Sequence, residues 1–250
     1  MNGGALAAGG YATVGHGVGI LTLDTRHPLL PGNVQHARSF ARPVLYEPIH
    51  CSDPRSLMRG EPALAPLVVA GALRLQEHGV SLIAGACGSF AYYQREVAEA
   101  AHVPVFLSIM TQVSFLLGAI GRAHKLGILC AVASALAPRV FDACAISDPS
   151  RLVIREMQGQ PEFDAMLAGA DHIDVDRMTE EVVRVAECLV ADAPEVSALM
   201  LQCSELPPFG AAIQAATRRP VFDMTILIRS LCEATEYPVY PGRALSAKRL

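Results

Sequence analysis

Two cysteines of this chain lie in matching sequence contexts. Cys87 stands in "ACGSFAYYQREVAEAAHVPVF" (86–106), and Cys203 stands in "QCSELPPFGAAIQAATRRPVF" (202–222). In both segments a serine follows the cysteine, a helical stretch comes next, and Pro-Val-Phe begins 17 positions after the cysteine. Two matching cysteine segments in one chain predict two matching half-sites.

A cysteine at the start of a helix has a characteristic reactivity. The positive end of the helix dipole and the unpaired N–H groups can lower the thiol pKa from about 8.5 towards neutrality. Two such thiols on opposite faces of a carbon acid could remove a proton from one face and return it to the other. Cys87 and Cys203 are therefore the candidate catalytic residues. The same helix ends would hold a substrate carboxylate through backbone N–H groups.

Polar residues beside the two cysteines are candidates for substrate binding. Ser89 and Ser204 could donate hydroxyl hydrogen bonds, and Glu205 could orient Cys203 or restore its proton. The same residues are equally consistent with helix caps and a favourable charge in a first helical turn. The other cysteines are interpreted as a loop residue, Cys51, and as small core residues, Cys130, Cys144, Cys188 and Cys232.

The composition argues against several classes of function. The 250-residue chain carries a formal charge of −4, whereas a nucleic-acid-binding protein would usually show a basic face. Its seven cysteines are odd in number and include no C-x-x-C spacing, so we expect reduced thiols and a cytoplasmic protein. The eight histidines have no metal-binding spacing, and neither Lys125 nor Lys248 is placed for a Schiff base. We therefore expect neither a metal nor a cofactor.

Two segments bear on targeting and membranes. The first ten residues, "MNGGALAAGG", have no basic start and are predicted to be a disordered leader, not a signal peptide. The most apolar window, "VPVFLSIMTQVSFLLGAIG", is interrupted by a proline and by polar residues. It is predicted to form a strand followed by a buried helix, so no association with a membrane is expected.

Short apolar runs alternate with helical stretches along the chain. This pattern predicts an α/β fold with mainly parallel sheets flanked by helices. The pattern restarts near the middle, where residues 126–129 resemble residues 18–21. Such a duplication predicts two lobes related by a pseudo-twofold axis. The predicted strands are residues 18–23, 43–49, 81–86, 104–109, 126–132, 151–157, 196–202 and 220–224.

The duplication also predicts the limits of the two lobes. We expect the first lobe to contain residues 16–108 plus a returning segment, 213–250, and the second lobe to contain residues 109–212. Ligands of open α/β sheets bind beyond the carboxyl ends of the strands. Since Cys87 and Cys203 both follow predicted strands, we expect them to face each other across an active-site cleft between the lobes.

The two cysteine motifs resemble those of the aspartate/glutamate racemase superfamily, which includes hydantoin racemases, maleate isomerases and arylmalonate decarboxylases. The resemblance covers the chain from Val18 to about Leu231. "ACGS" is similar to the A-C-N-T motif of this family, with Gly88 in place of asparagine, so one side-chain amide contact to substrate is missing. "CSELP" is similar to the second motif, C-T-H or C-T-E, and Glu205 favours the aspartate-racemase type.

The resemblance extends to the loop "LDTRHPLLPGN" (23–33). Asp24 and Thr25 match a polar pair that many family members place at the substrate, and Ser134 follows the corresponding strand of the second half. An ordinary loop rich in proline and glycine would explain the same segment. The implied substrate-binding positions are Asp24, Thr25, Gly88, Ser89, Ser134, Ser204 and Glu205.

These observations imply a cofactor-independent isomerase. We expect a racemase or epimerase acting on a small substrate that bears a carboxylate, such as an aspartate- or glutamate-like amino acid, or on a hydantoin. One alternative is a cis–trans isomerase of a maleate-like diacid that acts through a covalent cysteine adduct. Another is a non-catalytic protein that binds small acids. The sequence leaves the substrate open, and it is compatible with a homo-oligomer.

Overall fold

The computed structural model describes residues 14–24, 27–136 and 138–236, and strands and helices alternate through them. The strands are β1 (Val18–Leu23), β2 (Val44–Ile49), β3 (Leu82–Gly85), β4 (Val105–Phe106), β5 (Lys125–Cys130), β6 (Leu152–Glu156), β7 (Val196–Leu201) and β8 (Val221–Asp223). The helices are α1 (Pro54–Met58), α2 (Ala65–Glu77), α3 (Gln94–Ala100), α4 (Val113–Ala119), α5 (Pro138–Ala143), α6 (Pro161–Leu167), α7 (Val175–Asp192), α8 (Gly210–Thr217) and α9 (Met224–Thr235).

The described strands form two sheets with the same topology. The first sheet has the order β2-β1-β3-β4, and the second has the order β6-β5-β7-β8. Every strand pair in both sheets is parallel. The predicted α/β fold with two similar lobes is therefore confirmed, and each predicted strand overlaps an observed one. Parallel strands must be joined by crossovers, and the helical stretches between the strands supply them.

The duplication is visible in how each central strand packs against its helix. A side chain at Gly19 of β1 would approach Leu75 of α2 to 2.9 Å, and one at Gly127 of β5 would approach Leu189 of α7 to 2.8 Å. Both distances are too short for normal packing, so each glycine lets a leucine from the covering helix reach the sheet. The two lobes thus use the same device at equivalent positions.

The chain returns to the first lobe later than the sequence predicts. Residues from 213 onwards were expected in the first lobe, but β8 pairs with β7 in the second sheet. The physical reason lies in the duplication itself, since β8 takes the edge position that β4 takes in the first sheet. The chain then crosses over in α9, which packs against β1 and β3. Among the described residues, the returning segment therefore starts at Met224.

A continuous apolar core joins the lobes. Leu126, Ile128 and Cys130 of β5 pack in the same apolar cluster as the strands of the first sheet. Leu129, which points to the opposite face of β5, packs in a second cluster with α7. One face of the second sheet is therefore buried against the first lobe, and the carboxyl ends of both sheets lie near this boundary. Within the described residues, no helix has the length and apolarity required to cross a membrane.

Candidate active site

Cys87 lies directly beyond the carboxyl end of β3. The N–H of Ala86 donates to the carbonyl of Leu21 in β1 at 2.8 Å, which fixes the chain at the edge of the sheet. The backbone of Cys87 is extended, and its carbonyl accepts a hydrogen bond from the N–H of Phe90 at 3.0 Å. This bond starts a 3-10 turn over Gly88–Tyr93, which carries the chain into α3.

Cys203 occupies the equivalent position in the second sheet. The N–H of Gln202 donates to the carbonyl of Leu129 in β5 at 2.8 Å. The carbonyl of Cys203 accepts from the N–H of Leu206 at 3.2 Å. The same two hydrogen bonds therefore place both cysteines, and in each case the residue that follows the strand is anchored to the central strand beside it.

The two cysteine loops meet at the boundary between the lobes. A cavity of about 10 Å³ is lined by Cys87 and Gly88 from one loop and by Gln202 and Ser204 from the other. At Gly88 the loops are in close contact, because a Cβ there would lie 2.2 Å from Nε2 of Gln202 and 2.5 Å from its carbonyl oxygen. The charge of a Cys87 thiolate also raises the pKa of Cys203, which places the two sulfurs within electrostatic reach.

Burial raises the pKa of both thiols. At Cys87 the backbone N–H and the hydroxyl of Ser89 favour the thiolate, lower the pKa and so oppose this rise. At Cys203 burial and then the carboxylate of Glu205 raise the pKa well above its usual value, opposed by the N–H of Glu205. Both cysteines are therefore thiols at neutral pH in this closed site, and the thiolate forms more readily at Cys87.

The lowered thiol pKa expected from a helix N-terminus is not found. The chain that follows Cys87 is a six-residue 3-10 turn, and α3 begins only at Gln94. A short 3-10 turn aligns few peptide dipoles, so its effect on the sulfur is small. Desolvation is the largest influence at both cysteines and outweighs the local donors.

Glu205 is held by side chains from the loop after β1. Nδ2 of Asn33 donates to Oε2 of Glu205 at 2.6 Å, and Nε2 of His27 lies 3.1 Å from Oε1. The hydroxyl of Ser204 donates to Oε1 at 3.3 Å. The side chains of His27 and Glu205 are each only 11% exposed. The hydrogen bond with Glu205 raises the pKa of His27, so the imidazolium is favoured beside the carboxylate.

A larger cleft opens beside the cysteine cavity. It has a volume of about 510 Å³ and is bounded by α1 and the Gly88–Tyr93 turn on one side and by the loop after β5 on the other. Ser89 and Gln202 connect it to the cysteine loops, and Leu167 contributes to its apolar wall. Arg55 also lines it and is exposed. This volume is suitable for a small ligand, and the cationic side chain favours an anionic one.

The structure brings most of the predicted substrate-binding positions to these two cavities. Gly88 and Ser204 line the cysteine cavity, while Ser89 and Ser134 line the cleft. Ser204 is 9% exposed, and Ser134 is an exposed residue at the cleft surface. Glu205 lies directly behind Ser204, with its carboxylate turned towards the loop after β1.

Of the predicted pair in the loop after β1, Asp24 is not brought to the cavities. Asp24 is exposed, and its Oδ2 lies 3.3 Å from Nδ1 of His50, which is itself 70% exposed. Asp24 lines neither the cysteine cavity nor the cleft. Thr25 lies outside the described residues. Among the described residues of this loop, those that reach Glu205 are His27 and Asn33.

Three site residues were not identified from the sequence. His27 and Asn33 belong to the loop already singled out, but no spacing rule connects them with Glu205. Gln202 directly precedes Cys203. This position next to a candidate catalytic residue is the sequence feature that could have identified it. Each of the three acts through a contact with a residue distant in sequence.

Within the described residues, the other cysteines form no second cysteine site and no metal site is found. Cys130, Cys144 and Cys232 are buried, as predicted for core residues. Cys188 is exposed instead, because it lies on the outer face of α7. The described residues include no group of three or more histidine, cysteine or acidic side chains that could hold a metal ion.

These features define a class of α/β protein. It has two similar parallel sheets, a cysteine beyond the same strand of each sheet, and a cleft between the two lobes. The family model for Asp/Glu/hydantoin racemases matches residues 34–230. The chain belongs to this family.

Solved structures of the family share the fold. Arylmalonate decarboxylase is 16% identical, with a TM-score of 0.59 and coverage of 90% of this chain and 96% of that one. Allantoin racemase from Pseudomonas fluorescens is 15% identical, with a TM-score of 0.60 and coverage of 87% of this chain and 89% of that one.

Curated relatives are closer in sequence. Dimethylsulfoniopropionate lyase 3 of Emiliania huxleyi (strain CCMP1516) is 31% identical over 224 residues, which cover 86% of this chain and 58% of that protein. The dimethylsulfoniopropionate lyase of Durusdinium sp. clade D is 29% identical over 218 residues, or 84% of this chain and 71% of that protein. The chain thus matches little more than half the length of the Emiliania relative.

Proposed function

We propose that this protein is a cofactor-independent lyase that uses a cysteine to remove the α-proton of a small carboxylate carrying a leaving group on its β-carbon. The observation that carries the proposal is the meeting of the Cys87 and Cys203 loops in one small cavity beside an open cleft. The similarity to dimethylsulfoniopropionate lyases favours dimethylsulfoniopropionate as the substrate.

Cys87 is the proposed base. Its thiolate is stabilised by two donors from Ser89, and the carboxylate of Glu205 affects it less than it affects Cys203. Cys87 first loses its own proton to solvent, and its thiolate then takes the α-proton. The electron pair forms the carbon–carbon double bond, and the β-carbon–sulfur bond breaks. The bond pair leaves with sulfur as neutral dimethyl sulfide, and acrylate remains. The Cys87 thiol then loses its proton to solvent.

The cleft has the chemical character that such a zwitterionic substrate requires. Arg55 provides positive charge for the carboxylate, and the walls include Val132, Leu167 and Ala168, which can accommodate the two sulfonium methyl groups. Ser89 and Gln202 lie where the cleft approaches the cysteines. Enclosure of the site also keeps bulk water away from the thiolate, which strengthens electrostatic interactions there.

Racemisation is the second candidate function, and the presence of Cys203 favours it. An elimination requires one base, whereas inversion of a stereocentre requires an acid on the opposite face. The Cys203 thiol, with its strongly raised pKa, would be that acid when Cys87 is the base. The candidate substrates are then aspartate, glutamate or a hydantoin, and the reaction begins with the same proton abstraction.

One experiment separates these functions. The purified protein is incubated in D₂O with dimethylsulfoniopropionate, aspartate, glutamate, allantoin and maleate, with dimethyl sulfide measured by gas chromatography and α-protons by NMR. We expect dimethyl sulfide and acrylate in equal amounts, lost in Cys87→Ser and retained in Cys188→Ser, a control at an exposed position. Deuterium exchange in an amino acid or allantoin without elimination would support racemisation instead. Conversion of maleate, or no turnover of any acid, would contradict both proposals.

A further inference from the structure

Gln202 separates the two cavities of the site. Among the described residues, it alone lines both the cysteine cavity of about 10 Å³ and the cleft of about 510 Å³. Its backbone is fixed, because its N–H donates to the carbonyl of Leu129 at 2.8 Å. Gln202 therefore lies between the cleft and the small cavity that Cys87 lines.

The carboxamide of Gln202 makes no hydrogen bond among the described residues. The residue as a whole is 8% exposed. Gln94 is equally buried, and its Nε2 donates to the carbonyl of Val105 at 2.9 Å while its Oε1 accepts from the N–H of Leu107 at 2.8 Å. Buried polar groups are normally paired in this way. The free carboxamide of Gln202 is thus available to a ligand.

The carboxamide also lies where the first cysteine loop lacks a side chain. Nε2 of Gln202 lies 2.2 Å from the position that a Cβ of residue 88 would occupy. The family resemblance predicts an asparagine at that position, and this chain has Gly88. An amide from the second lobe therefore fills the space beside Cys87 that an amide of the first lobe would otherwise occupy.

We propose that Gln202 is a substrate-binding gate. Nε2 of Gln202 donates a hydrogen bond to the substrate carboxylate, and before substrate enters the same side chain closes the passage to Cys87 and Cys203. A carboxamide can do both, since it is long enough to fill the passage and carries two N–H donors. The binding step rests on the proposed function, while the closure of the passage does not.

Two substitutions separate binding from closure. Gln202→Met keeps the length of the side chain and removes its hydrogen bonds, whereas Gln202→Ala also removes its bulk. Gln214→Met makes the same chemical change at an exposed position of α8 and is the matched control. The two measurements are steady-state kinetics with dimethylsulfoniopropionate and the rate of iodoacetamide labelling of Cys87 and Cys203, followed by peptide mass spectrometry.

We expect Gln202→Met to raise KM and lower kcat/KM by about 10- to 100-fold, the effect of losing a hydrogen bond to a charged group, with unchanged labelling. Gln202→Ala should lose activity similarly and label Cys87 and Cys203 faster than the wild-type protein, because the side chain that closes the passage is shortened. Thermal unfolding is measured first for each variant, so that only folded variants are compared with the wild-type protein in kinetics and labelling.

The labelling measurement keeps the inference independent of the substrate. If the wild-type protein eliminates no dimethyl sulfide but Gln202→Ala still labels faster than Gln202→Met, the gate stands and the proposed function fails. Protection of the wild-type cysteines by propionate, weakened in Gln202→Met, would support carboxylate binding in that case. The inference would be overturned if both Gln202 variants were labelled at the same rate as the wild-type protein and were protected by propionate to the same extent.

Discussion

The two cysteine loops share a backbone and differ in their charges. In both loops, strand-end hydrogen bonds fix the residue before the cysteine, and the backbone N–H two residues after the cysteine favours its thiolate and lowers the thiol pKa. Cys87 has in addition the hydroxyl of Ser89, whereas Cys203 lies beside the carboxylate of Glu205. The duplicated fold thus provides two equivalent positions, and the neighbouring side chains give the two thiols different acidities.

This difference leads to a division of roles. A thiolate stabilised by neutral donors is suited to accept a proton, and a thiol kept protonated by a nearby carboxylate is suited to donate one. The assignment makes Cys87 the base and Cys203 the acid or a spectator, depending on the reaction. Substitutions that affect one loop and leave the other unchanged test this assignment.

The largest expected effect distinguishes the two thiols. Cys87→Ser should lower the rate of elimination about 100- to 10,000-fold, because serine cannot act as a base near neutral pH. Cys203→Ser should lower it only about tenfold, the size expected for loss of one hydrogen-bonding group, but should abolish any racemisation. Gas chromatography of dimethyl sulfide measures the first rate, and polarimetry measures the second. Equal losses of elimination in the two variants would show that the loops do not divide the roles as proposed.

The next effect is on the acidity of each thiol, and the two loops should respond in opposite directions. Ser89→Ala should raise the pKa of Cys87, since it removes a hydroxyl that favours the thiolate. Glu205→Gln removes a negative charge and should lower the thiol pKa, more at Cys203 than at Cys87. Iodoacetamide labelling across a pH series, read for each cysteine peptide, measures both changes.

A matched control for this experiment is Ser204→Ala. Ser204 occupies the second loop but donates its hydroxyl to Glu205, and no hydrogen bond to a sulfur is assigned to it. Its substitution should change the labelling of either cysteine less than the other two variants do. If Ser89→Ala moves both cysteine peptides together, the acidities of the two thiols are not set separately.

The smallest effect concerns stability, and it depends on pH. The folded-state pKa of His27 is raised above its usual 6.5 by Glu205. The stabilisation by this pair is therefore fully present below pH 6.5 and is lost as the pH rises through the raised pKa. His27→Gln should lower the free energy of unfolding by about 1–2 kcal/mol at pH 6 and by less at pH 9. Urea unfolding at the two pH values measures this difference.

His50→Gln provides the comparison for His27. Nδ1 of His50 lies 3.3 Å from Asp24, but both side chains are largely exposed. Its substitution should change the free energy of unfolding by less than about 0.5 kcal/mol at either pH, as is usual for surface pairs. An equal destabilisation by both variants would mean that burial of the His27–Glu205 pair has no special effect.

Features with a local pattern could be predicted from the sequence. The strands were predicted because each is a short apolar run, and strands of parallel sheets are buried on both faces. The position of the cysteines beyond β3 and β7 followed from the same runs. The start of α3 was not predicted, because a helical pattern does not distinguish a 3-10 turn from an α-helix over six residues.

The crossing of α9 to the first lobe was predicted, but its start was not. Pro-Val-Phe marks the edge strand in each half, and the chain changes lobe after that strand. The predicted boundary at 213 fell within α8 and before β8, although the equivalent boundary in the first half fell after β4. Consistent use of the duplication would have placed both crossings after the edge strand.

The sequence by itself determined the duplicated fold, the strand-end positions of Cys87 and Cys203, and the family, because these depend on residue types at short spacings. The tertiary structure decided the acidity of the two thiols and the contents of the site. Asn33 reaches Glu205 across 172 positions, and Gln202 covers Gly88 from the other lobe. Such contacts depend on how the two lobes pack together, and desolvation depends on every atom nearby, so no local pattern in the sequence specifies them.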